Sequence, residues 1–442
     1  MKKIVFFLIL AIGTVVGHSQ PARHVLLVSI DGFRPDFYQD KSWPAPNLQK
    51  LKAAGVYATG VRSVFPSVTY PSHTTLVTGA FPARHGIYYN APYRAKKGQW
   101  YWEESYIRVP TLWDAVRQAG LTSGAVMWPV TVGAPIDYNF PVRRADNDET
   151  SNQLEITRPL VTPAGLLDEI EKKETGPLTV ADFDGNHAID KTIGKMAAYI
   201  LKTYQPNLMA VHFITVDHME HAHGRDAVEV RHAVALVDSM IGVLLKTLKE
   251  AGLKKNTAVI ITGDHGFVNS THTFSPNVLL QQHGLLTADG GPASFHPAGG
   301  SAFLYLKDKG DTATLSKVKA ILQALPAEQK AAFQVVDRAE LDRVGANPDV
   351  ALALAMQDGY VANNEAKGEL VRMKKGGGNH GYFPDFNAIN TGFLAIGAGI
   401  GKPNQVGDMG IQDIAPLVGK LLNLPFRAPD GVLVPGILKP GN

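Results

Sequence analysis

Runs of apolar, β-branched residues alternate along this chain with segments whose apolar positions recur at helical spacing. His24–Ile30 reads as a buried strand and Pro46–Ala54 as a helix. Helical Thr111–Ala119 leads into strand-like Ser123–Met127, Ala188–Thr203 into Leu208–Val216, and Asp226–Ala251 into Thr257–Thr262; the strand pattern returns at Gly392–Ile396. Near-continuous apolar strands separated by helices predict an α/β fold, a mostly parallel central sheet with helices on both faces. Ligands of such sheets sit beyond the carboxyl ends of the strands. Gly376–Gly378 and Leu286–Gly300 read as loops, and both fall between His265 and His380. A smaller inserted lobe is expected there, at about 268–375 within a catalytic domain spanning 21–442.

The first residues follow a different pattern. Lys2 and Lys3 precede an apolar run from Ile4 to Val16, which ends abruptly at Gly17, His18, Ser19 and Gln20. That arrangement reads as a signal peptide over 1–20, with a run too short to span a bilayer. The expected product is a periplasmic or secreted protein without a membrane span. Composition adds exclusions. The formal net charge is +3 from 43 basic and 40 acidic residues, with no basic stripe, so a nucleic-acid polymer is not an expected partner. Cysteine is absent, which removes disulfides, thiolate metal sites and cysteine nucleophiles. Nothing in the pattern addresses oligomeric state.

Three of the expected strands close on an acid: Asp31, Asp217 and Asp264. Two have a histidine close by, His221 four residues after Asp217 and His265 next to Asp264, and His380 stands in a Gly-Asn-His-Gly loop. Singly, each has an ordinary reading as a turn former, a helix cap or a surface pair. Together they place carboxylates and imidazoles at one end of one sheet, which is a zinc-type ligand set, and clustered acids need cations to coexist. Phe65–Gly79 adds hydroxyls. Ser67, Thr69 or Ser72 could cap a helix running to Thr78, and a hydroxyl at that place also faces free backbone N–H groups that favour a phosphate. Asn90 could lend an amide to the same anion.

The ordered series Asp-Gly-Phe-Arg, Phe-Pro-Ser-x-Thr-Tyr-Pro-Ser-His, His-Gly-Ile, Asp-x-x-x-His, Gly-Asp-His-Gly-Phe and Asn-His-Gly resembles the nucleotide pyrophosphatase/phosphodiesterases of the alkaline phosphatase superfamily, from about His24 to about Ile400. The resemblance implies an alkaline phosphatase-like fold and two zinc ions. One would be held by Asp217, His221 and His380, the other by Asp31, Asp264 and His265 with Thr69 as a further ligand. It also implies that Thr69 is the nucleophile, forming a covalent phosphothreonine. Asn90 and a backbone N–H near Tyr70 would hold the phosphoryl oxygen, with Tyr70 against the substrate's second substituent. Trp128 and Tyr138 are weaker candidates for that pocket, and Arg94 for a terminal phosphate. The expected partner is a small phosphate ester, nucleotides among the candidates. Sulfatases are disfavoured, because Thr69 cannot become an aldehyde. Phosphomonoesterases of this type add a Lys-x-Arg pair that the chain lacks. Phosphodiesters are therefore expected first, phosphomonoesters as the alternative, and a non-catalytic exported metal- or phosphate-binding protein as the remaining reading.

Overall fold

The computed structural model describes residues 22–96, 98–144, 153–183 and 188–440. The export segment expected at 1–20 lies outside them. The strands are β1 (His24–Ile30), β2 (Val56–Val61), β3 (Ser123–Val126), β4 (Tyr138–Phe140), β5 (Leu208–Phe213) and β6 (Thr257–Gly263). They continue with β7 (Val268–Phe274), β8 (Ala293–Pro297), β9 (Ser301–Leu306), β10 (Phe333–Val336), β11 (Leu352–Met356), β12 (Gly359–Ala362), β13 (Val371–Met373), β14 (Gly378–Asn379), β15 (Thr391–Gly397) and β16 (Asn404–Val406).

The central sheet has the order β16-β2-β15-β6-β1-β5-β3-β4. Its pairs are parallel except where β15 runs antiparallel to both β2 and β6. The returning strand pattern at 392–396 was thus placed correctly, but its direction is not a property of periodicity. Successive residues of β1 point to opposite faces, and the two faces are both buried. Leu26, Val28 and Ile30 pack with the helices Ala188–Thr203 and Val228–Glu250. Val25 and Leu27 pack with Leu76 and Val77 of the helix Thr69–Thr78, with Trp113, and with the helix Ile414–Leu421. The result is three layers, with every residue of β5 and β6 buried. Among the described residues no helix is long and apolar enough to cross a membrane.

Between β6 and β15 the chain builds two small sheets, β10-β11-β9-β8 and β12-β7-β13, with β14 paired to β7. These share a hydrophobic cluster separate from the two faces of the central sheet. Two expectations are corrected here. The stretch 286–300 contains strand β8 rather than loop alone, and Gly378 belongs to β14. The pairing of β14 with β7, Gly378 opposite Asn269 and Asn379 opposite Val268, returns the chain to the sheet edge it left at His265. Gly378 allows the approach. A Cβ there would stand 2.6 Å from the Phe267 ring and 2.7 Å from the Glu220 carbonyl oxygen.

Candidate active site

β1 and β6 are adjacent and parallel, with Ile30 opposite Gly263, so the acids that follow them, Asp31 and Asp264, emerge side by side. Asp217 arrives differently from the expectation. β5 ends at Phe213, and Asp217 lies in the first turn of the helix Thr215–His223. That early helix start has a cause: the buried Asp190 accepts hydrogen bonds from the N–H groups of Ile214 (2.9 Å) and Thr215 (3.1 Å), capping the helix from another element. One helical turn then puts His221 on the same face as Asp217, with Nε2 3.4 Å from Oδ1.

Each of the three candidate histidines has its Nδ1 beside a backbone carbonyl: His221 with Gly378 (3.2 Å), His265 with Gly266 (3.1 Å) and His380 with Ser67 (3.1 Å). A carbonyl can only accept, so Nδ1 carries the proton and Nε2 presents its lone pair inward. The His265 and His380 rings stack at 3.8 Å. The ligand atoms of Asp217, His221 and His380 lie within 4.8 Å of one another, and so do those of Asp31, Asp217 and His265. Asp264 reaches His265 Nε2 through Oδ2 at 3.1 Å, while its Oδ1 accepts from the N–H groups of Gly32 and His265. The structure therefore brings together every acid and imidazole that the sequence singled out.

The electrostatics of this cluster are those of a cation site. Burial, and then the charges of neighbouring acids, push the Asp31 and Asp264 carboxyls well above the usual carboxylate range. Burial and the neighbouring imidazoles hold His265 well below its ordinary value, and His380 is pushed down to about 4 mainly by burial. Asp31 Oδ1, Asp217 Oδ1, Asp264 Oδ2 and His265 Nε2 are buried without a hydrogen-bond partner. Orphaned atoms of that kind, all donors of electron pairs and all converging, fit divalent cations of the oxygen- and nitrogen-seeking type.

Thr69 opens the helix Thr69–Thr78. The expected hydroxyl cap is absent: Val68 is the N-cap and no side chain bonds there. Ser67 instead donates to the Tyr382 carbonyl, and Ser72 pairs with Ser63. A cavity of about 230 Å³ exposes Thr69 together with Asp31, Asp217, His221, His380, Asn90 and Tyr70. The Tyr70 N–H is already taken, since it donates to Asn90 Oδ1 at 2.9 Å. It therefore fixes the Asn90 amide, leaving Nδ2 as the donor, rather than facing an anion itself. Tyr70 packs edge-on against Trp100 with ring centroids 5.2 Å apart.

Several participants were not apparent in the sequence. His212, within β5, has Nε2 3.2 Å from Asp31 Oδ2, and its Nδ1 donates to the Met127 carbonyl. Trp100 and Arg144 line the cavity. Trp128 and Tyr138 do not: the first is fully buried against His73 and Trp113, the second stacks on Tyr204. Arg94 lies outside this cavity. Only His212 carried a signal, a histidine placed in an otherwise apolar strand.

Arg34, the last residue of Asp-Gly-Phe-Arg, is 1% exposed and pairs with the wholly buried Glu220 at 3.2 Å, and with Asp36 and Asp226. Glu220 precedes His221, so this pair anchors the helix that carries two candidate ligands. Gly32, at φ +73°, leaves room for it; a Cβ there would stand 2.6 Å from Glu220 Oε2. Arg34→Met strands a buried carboxylate and is expected to cost about 3–5 kcal/mol in urea unfolding. The Arg34→Met/Glu220→Leu pair recovers most of that loss, and an additive double variant would show that the two side chains do not act as a pair.

The family model for type I phosphodiesterase/nucleotide pyrophosphatase matches residues 25–383. Human ectonucleotide pyrophosphatase/phosphodiesterase family member 5 is 25% identical over 433 residues, covering 94% of this chain and 77% of that protein. Human family member 1 is 26% identical over 250 residues, covering 54% of this chain and only 23% of that protein. Among solved structures, human family member 5 superposes with a TM-score of 0.64 at 23% identity, covering 92% of this chain and 97% of that one. An inactive murine family member 5 in complex with AMP superposes equally well, at 0.64, 23% identity and 93% and 97% coverage. The match runs unbroken from the second residue of β1, through Thr69 and all the clustered acids, to the loop holding His380, and a chain that carries it belongs to the type I phosphodiesterase/nucleotide pyrophosphatase family.

Proposed function

We propose that this chain hydrolyses phosphodiesters of the nucleotide type, holds two zinc ions and passes through a covalent phosphothreonine at Thr69. The observation that carries the reading is a hydroxyl free of any capping role, sharing one cavity with Asp31, Asp217, His221 and His380. Asp217, His221 and His380 would hold one cation. Asp31, Asp264 and His265 would hold the other, with Thr69 as a further ligand; the Asp217 carboxylate, which also lies within 4.8 Å of the ligand atoms of Asp31 and His265, would be shared between the two. When bound, the cations supply Lewis-acid stabilisation of phosphoryl charge and a lowered pKa for the threonine hydroxyl.

The residues then divide the work. Thr69 Oγ1 attacks phosphorus and loses its proton; the new Oγ1–P bond forms as the ester O–P bond breaks and the alcohol leaves. Water next cleaves the Oγ1–P bond and restores Thr69. Asn90 Nδ2, its orientation set by the Tyr70 N–H, donates to the phosphoryl oxygen. Tyr70 and Trp100 offer an apolar wall to a substituent on phosphorus. A diester needs that wall, and the murine relative solved with AMP supports a nucleotide on it. Arg144, which also lines the cavity, favours the second reading, a monoesterase, because a guanidinium can balance the extra charge.

Zinc-loaded protein is expected to turn over thymidine 5′-monophosphate p-nitrophenyl ester fastest, bis-p-nitrophenyl phosphate next and p-nitrophenyl phosphate slowest. A preference for the monoester would reverse the substrate assignment, and silence on all three would favour a non-catalytic metal- or phosphate-binding protein. The charged, apolar and polar succession over residues 1–20 supports export to the periplasm or beyond.

A further inference from the structure

His212 lines the catalytic cavity, yet it belongs to neither ligand cluster. It is 2% exposed and interrupts the apolar strand β5, where an aliphatic side chain would bury at less cost. Its ring is fixed on three sides. Nδ1 donates to the Met127 carbonyl at 3.0 Å, Nε2 stands 3.2 Å from Asp31 Oδ2, and the ring packs on His73 with centroids 4.1 Å apart. A proton between Nε2 and Oδ2 makes the second contact a hydrogen bond. The anchors are themselves held. Met127 follows β3 at φ +59°, a conformation a non-glycine residue adopts at a cost, and its N–H donates to the Phe140 carbonyl at 2.8 Å. His73 Nδ1 donates to the Thr69 carbonyl at 2.8 Å.

β5 grips Asp31 twice. The Asp31 N–H donates to the Phe213 carbonyl at 2.8 Å, and Oδ2 meets His212. β1 and β5 are adjacent and parallel with Ser29 opposite His212, so the ring spans two residues along β1 to reach Asp31. Oδ1 is left buried without a hydrogen-bond partner, 3.4 Å from His265 Nε2. The two oxygens are thereby distinguished, one tied to the protein and the other turned toward the ligand cluster. A carboxylate without such a tie rotates about its Cβ–Cγ bond, and ordering it costs free energy when a cation binds.

We propose that His212 is a positioning residue for the cation site: it holds Asp31 by Oδ2 so that Oδ1 is the oxygen presented to the ion shared with Asp264 and His265. The inference rests on the cation reading of these acids and imidazoles. It adds to that reading a residue outside the ligand set on which one of the two ions depends.

The test is calorimetric titration of chelated protein with zinc. Native protein is expected to take up two ions. In His212→Phe, which keeps a ring but neither nitrogen, one binding event is expected to weaken roughly 10- to 100-fold while the other is unchanged. On a His221→Ala background, which disables the other cluster, the remaining event should show the whole loss. Two further variants separate positioning from packing. The side-chain amide in His212→Gln can take the place of Nε2 beside Asp31, whereas that in His212→Asn can replace only Nδ1 beside Met127. His212→Gln is therefore expected to recover most of the zinc affinity and His212→Asn little of it, and this order decides the matter should His212→Phe fail to fold. The reverse order, equal affinity in native and His212→Phe protein, or equal weakening of both events would overturn the proposal. Native protein that took up no zinc would instead remove the cation reading, and this inference with it.

Discussion

Thr69→Ala is expected to abolish turnover, lowering kcat roughly 10⁴-fold or more, while leaving the fold intact. The size of the loss follows from the proposed nucleophile, since removing the attacking atom of a covalent mechanism leaves only the binding and electrostatic parts of catalysis. The intact fold follows from local structure. Val68, not Thr69, is the N-cap of the helix, no side chain caps it, and the Thr69 backbone carbonyl that engages His73 Nδ1 survives the change. Melting temperature should therefore stay close to the native value. Thr69→Ser keeps the oxygen and should retain part of the activity. Mass spectrometry of acid-quenched protein during turnover of a diester reads the intermediate directly, as a phosphoryl group on Thr69 that still carries the substrate's remaining substituent and is absent from the alanine variant. Full activity in Thr69→Ala would remove the covalent step altogether.

The central strands of the fold were legible because burial on both faces writes them as unbroken apolar runs, and β1 and β6 begin where the sequence placed them. Asp31 and Asp264 were legible for the same reason, since an acid after such a run has only the sheet edge to occupy. The end of β5 was not. Its apolar run continues to Val216, but Asp190, from a helix earlier in the chain, captures the N–H groups of Ile214 and Thr215 and turns the backbone into a helix. A cap contributed from elsewhere leaves no local mark. The direction of β15 was hidden likewise, because alternation of burial is the same whichever way a strand runs. The meeting of His380 with His265 depended on β14 pairing with β7 across the whole intervening segment, which two residues of strand cannot announce. Trp100 and Arg144 reach the cavity from loops, where residue type carries little positional information.

Stripping divalent cations with a chelator is expected to abolish hydrolysis and lower the melting temperature, with both restored by zinc. The protein holds three acids and three imidazoles within a few ångströms, with Asp31 Oδ1, Asp217 Oδ1, Asp264 Oδ2 and His265 Nε2 buried and unpartnered. Uncompensated groups of this kind cost free energy in the folded state, and a cation bound only by that state returns it. Each site held at a hundred times its dissociation constant contributes about 2.7 kcal/mol by linkage alone. Asp217 is the sensitive position, because its carboxylate belongs to both ligand clusters. Asp217→Ala should thus lower cation content by more than His221→Ala, whose side chain belongs to one, as measured by elemental analysis after dialysis. Equal cation content in the two variants would mean that the clusters do not share Asp217. Chelated protein that kept its activity would mean that these acids and imidazoles serve some purpose other than cation binding. Because the donors are oxygen and nitrogen, manganese should also bind, and the ion that restores the highest kcat identifies the native one.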